Sequence, residues 1–330
     1  MRINVKRLLS SLLFIALLIV LLIVSSLIFQ PKNNYRKRAS KDPMASGIYS
    51  EPADTIDAVF LGDSEAYCSF VPLKIWHDYG IATYVCGTTA QKLCYSVEIL
   101  QNSFKNQNPE IVFLETNAIF RKFGRAEEMF QQAEKVMPIL RYHDRWKVLS
   151  TADFSTKIEY TCIDRDKGYV YNASTQAADD KDYGIKSDEN AEILQKNIDY
   201  VKEIKDFCDK NNARLVLVST PSTKNWNYTK HNSIVDLADD LDVEYIDMNI
   251  PSSGVKIDWS KDSRDMGDHL NLRGALKATN CLGEYLHEQN MFEDKRQDPE
   301  YSQWNKSVDE FNKKTKNSLD KDNKDNKDKK

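Results

Sequence analysis

The amino-acid sequence predicts an α/β protein: a parallel sheet covered by helices on both faces, preceded by one membrane-crossing helix. Three observations carry this. The apolar runs "DAVFLG" (57–62), "PEIVFLET" (109–116) and "ARLVLVSTP" (213–221) are short and bounded by turn or polar residues, as strands buried on both faces are. Helical patterns alternate with these runs, and strand, helix, strand in that rhythm argues for parallel pairing. Residues 8–29, "LLSSLLFIALLIVLLIVSSLIF", carry no charge and as a helix are long enough for a hydrocarbon core about 30 Å thick.

The chain opens with that apolar helix, and residues 1–29 read as an uncleaved anchor. A cleavable signal peptide has an apolar region of only ~7–15 residues and a small-x-small site, which "SSLIFQPK" matches poorly. Basic residues stand on both sides, Arg2, Lys6 and Arg7 before and Lys32, Arg36 and Arg38 after, so their count does not set the orientation. A single N-terminal anchor before a long domain is instead the usual layout for a domain outside the membrane. Residues 30–55 are polar with scattered Pro and Gly and read as a linker.

The globular region is expected over 56–292. Two weaker strand candidates, "ATYVCG" (82–87) and "VEYIDM" (243–248), join the three clear ones. Helical patterns fall at "LKIWHDYG" and "AQKLCYSVEILQNSFKNQ", and again at "NAEILQKNIDYVKEIKDFCDKNN", where Ile193, Ile198, Val201, Ile204 and Phe207 recur at intervals near three and four. From about 121 to 185 the rhythm breaks. There the aromatic-rich helical stretch "EEMFQQAEKVMPILRYHDRWKVLS" precedes a polar segment with "DRDKGYVYN", and insertions of this kind usually extend a loop at the carboxyl edge of the sheet. Within it Tyr142, His143, Arg145 and Trp146 are candidates to line a glycan or partner groove, with Trp146 as plain core the competing reading. Residues 293–330, ending in the low-complexity "KKTKNSLDKDNKDNKDKK", read as a polar, mostly disordered tail.

Composition removes several function classes. The 330 residues are 41% hydrophobic, enough for a sizeable core, and the net charge of −4 gives no basic excess for a nucleic-acid backbone. Nucleic acid is therefore not an expected partner. The six cysteines form no CxxC pair and no Cys/His spacing suited to zinc, so no metal site and no cofactor are expected. They read as buried small apolar side chains. The first strand runs into Gly-Asp-Ser rather than a glycine-rich phosphate loop, which argues against a nucleotide-binding domain.

Chemistry, if present, centres on Ser64, directly after "DAVFLG". A serine hydroxyl is a weak nucleophile at neutral pH and needs a base, a group to orient that base, and donors for an oxyanion. Alone, Gly-Asp-Ser after a strand reads more readily as a turn or helix cap. The segment "SRDMGDHLNLRGALKATNCLGEYL" (263–286) changes the balance. It places His269 among Asp262, Asp265 and Asp268 just before a predicted helix, and a carboxylate on Nδ1 would fix the imidazole tautomer for general-base work.

With those residues in view, "FLGDSEAY" and "GDHLNLRGA" resemble the first and last motif blocks of the SGNH/GDSL hydrolase superfamily. The layout is similar to its membrane-anchored, surface-glycan-modifying branch, to which the D-alanine-transfer protein of teichoic acid synthesis and alginate O-acetylation proteins belong. The resemblance implies a flavodoxin-like α/β/α sandwich, Ser64 as nucleophile and His269 as base. It also implies oxyanion donors at the Ser64 N–H, at Gly87 in "YVCGTTAQ" and at the Asn117 amide in "LETNAIF", where the family's glycine and aspartate are missing. The family's orienting aspartate lies three positions before the histidine, a place held here by Met266. Asp265 is the first choice, Asp268 the second, and a backbone carbonyl the third. Arg121, after the same strand as Asn117, is a candidate to grip a carboxylate, phosphate or sugar ring, with a solvated arginine equally in play.

The expected function is a serine-dependent acyl-ester hydrolase or O-acyltransferase acting on a cell-envelope glycan or acylated polymer. The resemblance implies an integral membrane O-acyltransferase as partner. The alternative is a non-catalytic glycan-binding assembly protein on the same scaffold, since fold alone does not establish activity.

Overall fold

The computed structural model describes residues 5–34 and 44–325, with side chains described through 316. In chain order the helices and strands are α1 (Val5–Phe29), β1 (Ala58–Gly62), α2 (Ser64–Ser69), α3 (Pro72–Tyr79), β2 (Thr83–Gly87), α4 (Leu93–Ser103) and β3 (Ile111–Glu115). There follow α5 (Arg125–Val136), α6 (Ile139–Tyr142), α7 (Gln195–Lys210), β4 (Arg214–Ser219), α8 (Tyr228–Leu241), β5 (Glu244–Asp247), α9 (Leu272–Glu288) and α10 (Ser302–Asp325). The chain divides into two compact units, one of Met1–Ser46 with Phe123–Cys162, the other of Gly47–Lys122 with Ile163–Lys330.

The larger unit is built on five parallel strands in the order β2-β1-β3-β4-β5. Both clear and weak strand candidates fall in it. Successive residues of a strand point to opposite faces, and here both faces are apolar. Val59, Leu61, Val112 and Leu114 enter one core with Leu100 of α4 and Val201 and Ile204 of α7. Ala58, Phe60, Ile111 and Phe113 enter the other with Ala66 of α2 and Ala278, Leu282 and Leu286 of α9. The sheet is therefore a buried middle layer, and its order is that of flavodoxin-like folds.

The smaller unit holds α1, whose 25 residues are long and apolar enough to cross a membrane. Its inserted segment fastens to the end of that helix. Ile139 N–H donates to Ser26 Oγ at 3.3 Å, the buried Arg145 donates to the Phe29 carbonyl, and Arg145 Nη2 meets Asp153 Oδ1 at 2.7 Å.

The expected boundaries need three corrections. The linker over 30–55 is too long: Ile48, Glu51 and Thr55 are buried in the larger unit, and Glu51 takes both oxygens to Lys167 Nζ at 2.7 and 2.8 Å. Its residues 35–43 lie outside the described residues. The insertion expected over 121–185 is shorter, because the chain from Ile163 belongs to the larger unit, where Lys167 and Tyr169 are buried. The tail expected to be disordered forms α10 instead. Tyr301, Trp304, Val308 and Phe311 recur at helical spacing and are buried, with Tyr301 and Trp304 at 5.3 and 5.1 Å from the Trp76 ring. Residues 326–330 of that tail lie outside the described residues.

Candidate active site

The site starts where β1 ends. Gly62 lies opposite Glu115 of β3, and a Cβ there would stand 2.7 Å from the Glu115 Cβ and 3.0 Å from that of Ala66. Only glycine lets the chain turn into α2 at this approach. Asp63 caps the helix, with Oδ1 accepting from the Glu65 N–H at 2.9 Å. Its Oδ2 accepts from Asn117 Nδ2 at 3.0 Å and from Arg121 Nε. A wholly buried carboxylate is thereby compensated by three donors, and it ties the end of β1 to the turn after β3. Ser64 opens α2 at 8% exposure, and among the described residues neither its hydroxyl nor its N–H is hydrogen-bonded.

His269 arrives from the loop before α9. Asp265 directs one oxygen to the His269 N–H at 2.7 Å and the other to Nδ1 at 2.6 Å. With Nδ1–H donated to Asp265, Nε2 is left as the basic nitrogen. Asp268 Oδ2 stands 3.6 Å from Nδ1, too far for a hydrogen bond, and its Oδ1 accepts from Asn225 Nδ2 at 2.7 Å. Of the two aspartates, Asp265 is the one hydrogen-bonded to Nδ1.

The loop reaches this shape through Met266 and Gly267, both at positive φ, 61° and 90°. A Cβ on Gly267 would lie 2.0 Å from Thr223 Oγ1, so this position excludes side chains on two counts. Ser222 Oγ donates to the carbonyls of Gly267 and Asp268 at 2.9 and 3.0 Å, and Ser263 Oγ accepts from the Gly267 N–H at 2.7 Å. The histidine is carried on a braced turn.

Glu65 joins the two halves. Its carboxyl accepts from Asn225 Nδ2, the same amide that serves Asp268, and from Thr220 Oγ1 at 3.3 Å. Glu65, Asp268 and His269 each bring one donor atom within 4.8 Å of the others, which sets the histidine loop beside the start of α2. These are cation-binding residue types, but the Asn225 amide already donates to both carboxyls. Burial, then the charges of Glu115 and Asp63, hold the Glu65 carboxyl well above the usual range. Burial and Asp63 do the same to Glu115. Lys230, lowered by burial, donates to the Asn225 carbonyl at 2.6 Å. Glu65, Glu115, Asn117, Thr220 and Lys230 border a cavity of about 10 Å³, the room of a single water.

Ser64, Gly87, Asn117, Arg121, Asp265, Asp268 and His269 thus lie at the carboxyl edge of the sheet, whereas Tyr142, His143, Arg145 and Trp146 belong to the smaller unit, where Trp146 is exposed rather than core. Gly87 ends β2 paired with Gly62, and a Cβ on it would stand 3.2 Å from the Asp63 carbonyl. Strand order reverses between β1 and β3, and the crevice at such a reversal is where open α/β sheets bind ligands. Two residues are engaged otherwise than expected. One Asn117 amide proton goes to Asp63, and the Arg121 Nε pairs with Asp63 rather than pointing outward to a ligand. Sequence reasoning passed over Asp63, Glu65 and Asn225. Glu65 had a signal as the lone charge in "SEAYCSF", whereas Asn225 in "STKNWNYT" had none.

No protein-family model and no curated protein matches the chain. Solved structures similar to it include the psychrotrophic esterase EstA from Pseudoalteromonas sp., at 9% identity and TM-score 0.38 over 71% of this chain and 97% of that one. An acetyl xylan esterase, AlAXEase, matches at 13% identity and TM-score 0.37 over 70% and 100%. A protein described as lipolytic and of the G-D-S-L family, from Desulfitobacterium hafniense, matches at 11% and TM-score 0.39 over 69% and 98%. Scores this low decide nothing about activity, which rests on the residues of the site.

Proposed function

We propose that the chain is a serine-dependent acyl-ester hydrolase or O-acyltransferase of the cell envelope, anchored through α1 with its larger unit outside the membrane. The observation that carries this reading is His269, gripped by Asp265 at both N–H and Nδ1 and set beside the turn that bears Ser64. In this mechanism Nε2 takes the Ser64 proton as Oγ attacks the acyl carbonyl carbon. The oxyanion rests on the Ser64 N–H, the Gly87 N–H and the second Asn117 amide proton. Asp265 stabilises the imidazolium, which returns the proton to the leaving alkoxide as the ester bond breaks. Water then attacks the acyl-enzyme in a hydrolase, and a glycan or polymer hydroxyl does so in a transferase. The membrane helix favours an envelope polymer over a soluble ester, and an integral membrane O-acyltransferase is the partner this chemistry would draw its acyl group from.

A second reading, a glycan-binding protein without turnover, draws on the engagement of Asn117 and Arg121 by Asp63. A fluorophosphonate probe and an aryl acetate separate the two. Turnover and labelling should both be present in the native chain, fall by about 10³-fold or more in Ser64→Ala, and fall steeply in His269→Ala. A folded native protein that neither labels nor turns over ester would sink the enzymatic reading.

A further inference from the structure

The inserted segment wears its apolar residues on the outside. On α5, Gln131 and Glu134 are buried while Met129, Phe130 and Val136 are 71%, 51% and 83% exposed. Met129, Phe130, Ala133, Val136 and the C-cap Met137 fall at i, i+1, i+4, i+7 and i+8, one stripe of a helix, in which Ala133 and Met137 are half-buried and the other three exposed. Trp146 and Phe154, farther along the same inserted segment, are likewise 65% and 67% exposed. A helix serving a water-soluble core has the opposite polarity, and exposed apolar surface of this extent marks an interaction face.

The same unit identifies the occupant. Along α1 only Ser26 is buried, and the half-buried residues, Leu22, Ser25, Ile28 and Phe29, all fall in its last two turns. About 20 residues cross the hydrocarbon core, so with the uncharged run starting at Leu8 the core ends near Leu27, and the last turn, Ser26 to Phe29, sits at its boundary with the headgroups. Ile139, Arg145 and Asp153 fasten the segment there, through Ser26 Oγ and the Phe29 carbonyl. Whatever is tied to that end of the helix lies at interfacial depth, where Trp and Phe are favoured. The segment 123–162 carries six Lys or Arg and six Asp or Glu, so apolar insertion rather than attraction to anionic lipid must supply the binding.

We infer that the exposed stripe of α5, with Trp146 and Phe154, seats this unit in the lipid interface as a foot around the base of the anchor. The inference rests on α1 spanning the membrane. Trp146 is the natural reporter, because Trp76, Trp226, Trp259 and Trp304 are all buried in the larger unit. The full chain reconstituted in phosphatidylcholine vesicles with brominated acyl chains should lose tryptophan emission relative to plain vesicles, and Trp146→Phe should remove that loss. Neither result should depend on salt. Equal emission in both vesicles, quenching retained in Trp146→Phe, or quenching of Trp146 by aqueous acrylamide instead would overturn the inference, the last marking a face open to a protein partner. Alkaline carbonate extraction separates the two levels. Release of the native chain would remove the anchor and the foot with it, whereas a retained but unquenched chain would remove the foot alone.

Discussion

Asp265 and Asp268 stand four and one residues before His269, and only the first has both oxygens on it. Replacing Asp265 by Asn should lower kcat by about 10²–10⁴ with little change in KM, because the wrong tautomer is then favoured. Asp268→Asn should cost less than about tenfold, since Asp268 reaches the site through Asn225. Steady-state kinetics on an aryl ester compare the two. Glu65 and Glu115 make a separate prediction. Their folded-state pKa values are raised by burial, so their contribution to stability is fully present below the ordinary value of 4.5 and is lost as pH rises through the folded values. Melting temperatures followed from about pH 5 to about pH 9 should fall for the native protein and fall less for Glu65→Gln, which keeps the Asn225 contact without a charge to bury. The positions of Ser64 after β1 and of His269 before α9 were legible because a strand that runs into Gly-Asp-Ser and an Asp-flanked histidine ahead of a helical run have sequence signatures. The Asp63–Asn117–Arg121 cluster and the Glu65–Asn225 bridge were not, because they join residues more than 50 positions apart through side chains common on any surface.

At the scale of elements, the five strands were readable from apolar runs, and the two weakest runs are the two edges, β2 and β5. An edge strand has one neighbour and in β5 is half exposed, so its pattern is diluted. The end of the chain misled for a different reason. Its Lys and Asp content is that of a disordered tail, yet Tyr301, Trp304, Val308 and Phe311 form one helical stripe in front of it. Lys167 Nζ sits 4.4 Å above the Trp304 ring while bound to Glu51, so a buried ion pair closes over the same contact. Trp304→Ala should cost about 3–5 kcal/mol in urea unfolding, the usual range for a buried aromatic. A disordered tail would lose nothing measurable.

At the scale of the whole molecule, the switch point between β1 and β3 explains why residues scattered from Gly62 to His269 meet at all. Topology gathers them, and topology was legible once the strands were ordered. The cysteines belong to this scale too. None of the six is in a disulfide, and Cys68, Cys86, Cys94 and Cys208 are buried. A native-state thiol titration should therefore find two accessible groups, Cys162 and Cys281, with the other four reacting only after denaturation; burial, which raises the Cys281 thiol, should make it sluggish.

The C-terminal stripe on Trp76 has a consequence in time. Trp76 is made early, and its covering residues, Tyr301 and Trp304, more than 220 positions later. A chain emerging in order would hold an uncovered indole until Tyr301 and Trp304 have cleared the exit, and a chain stopped short of them would keep it uncovered. Closure of this core therefore waits on α10, and a copy broken off before it presents an aromatic face that a folded copy hides.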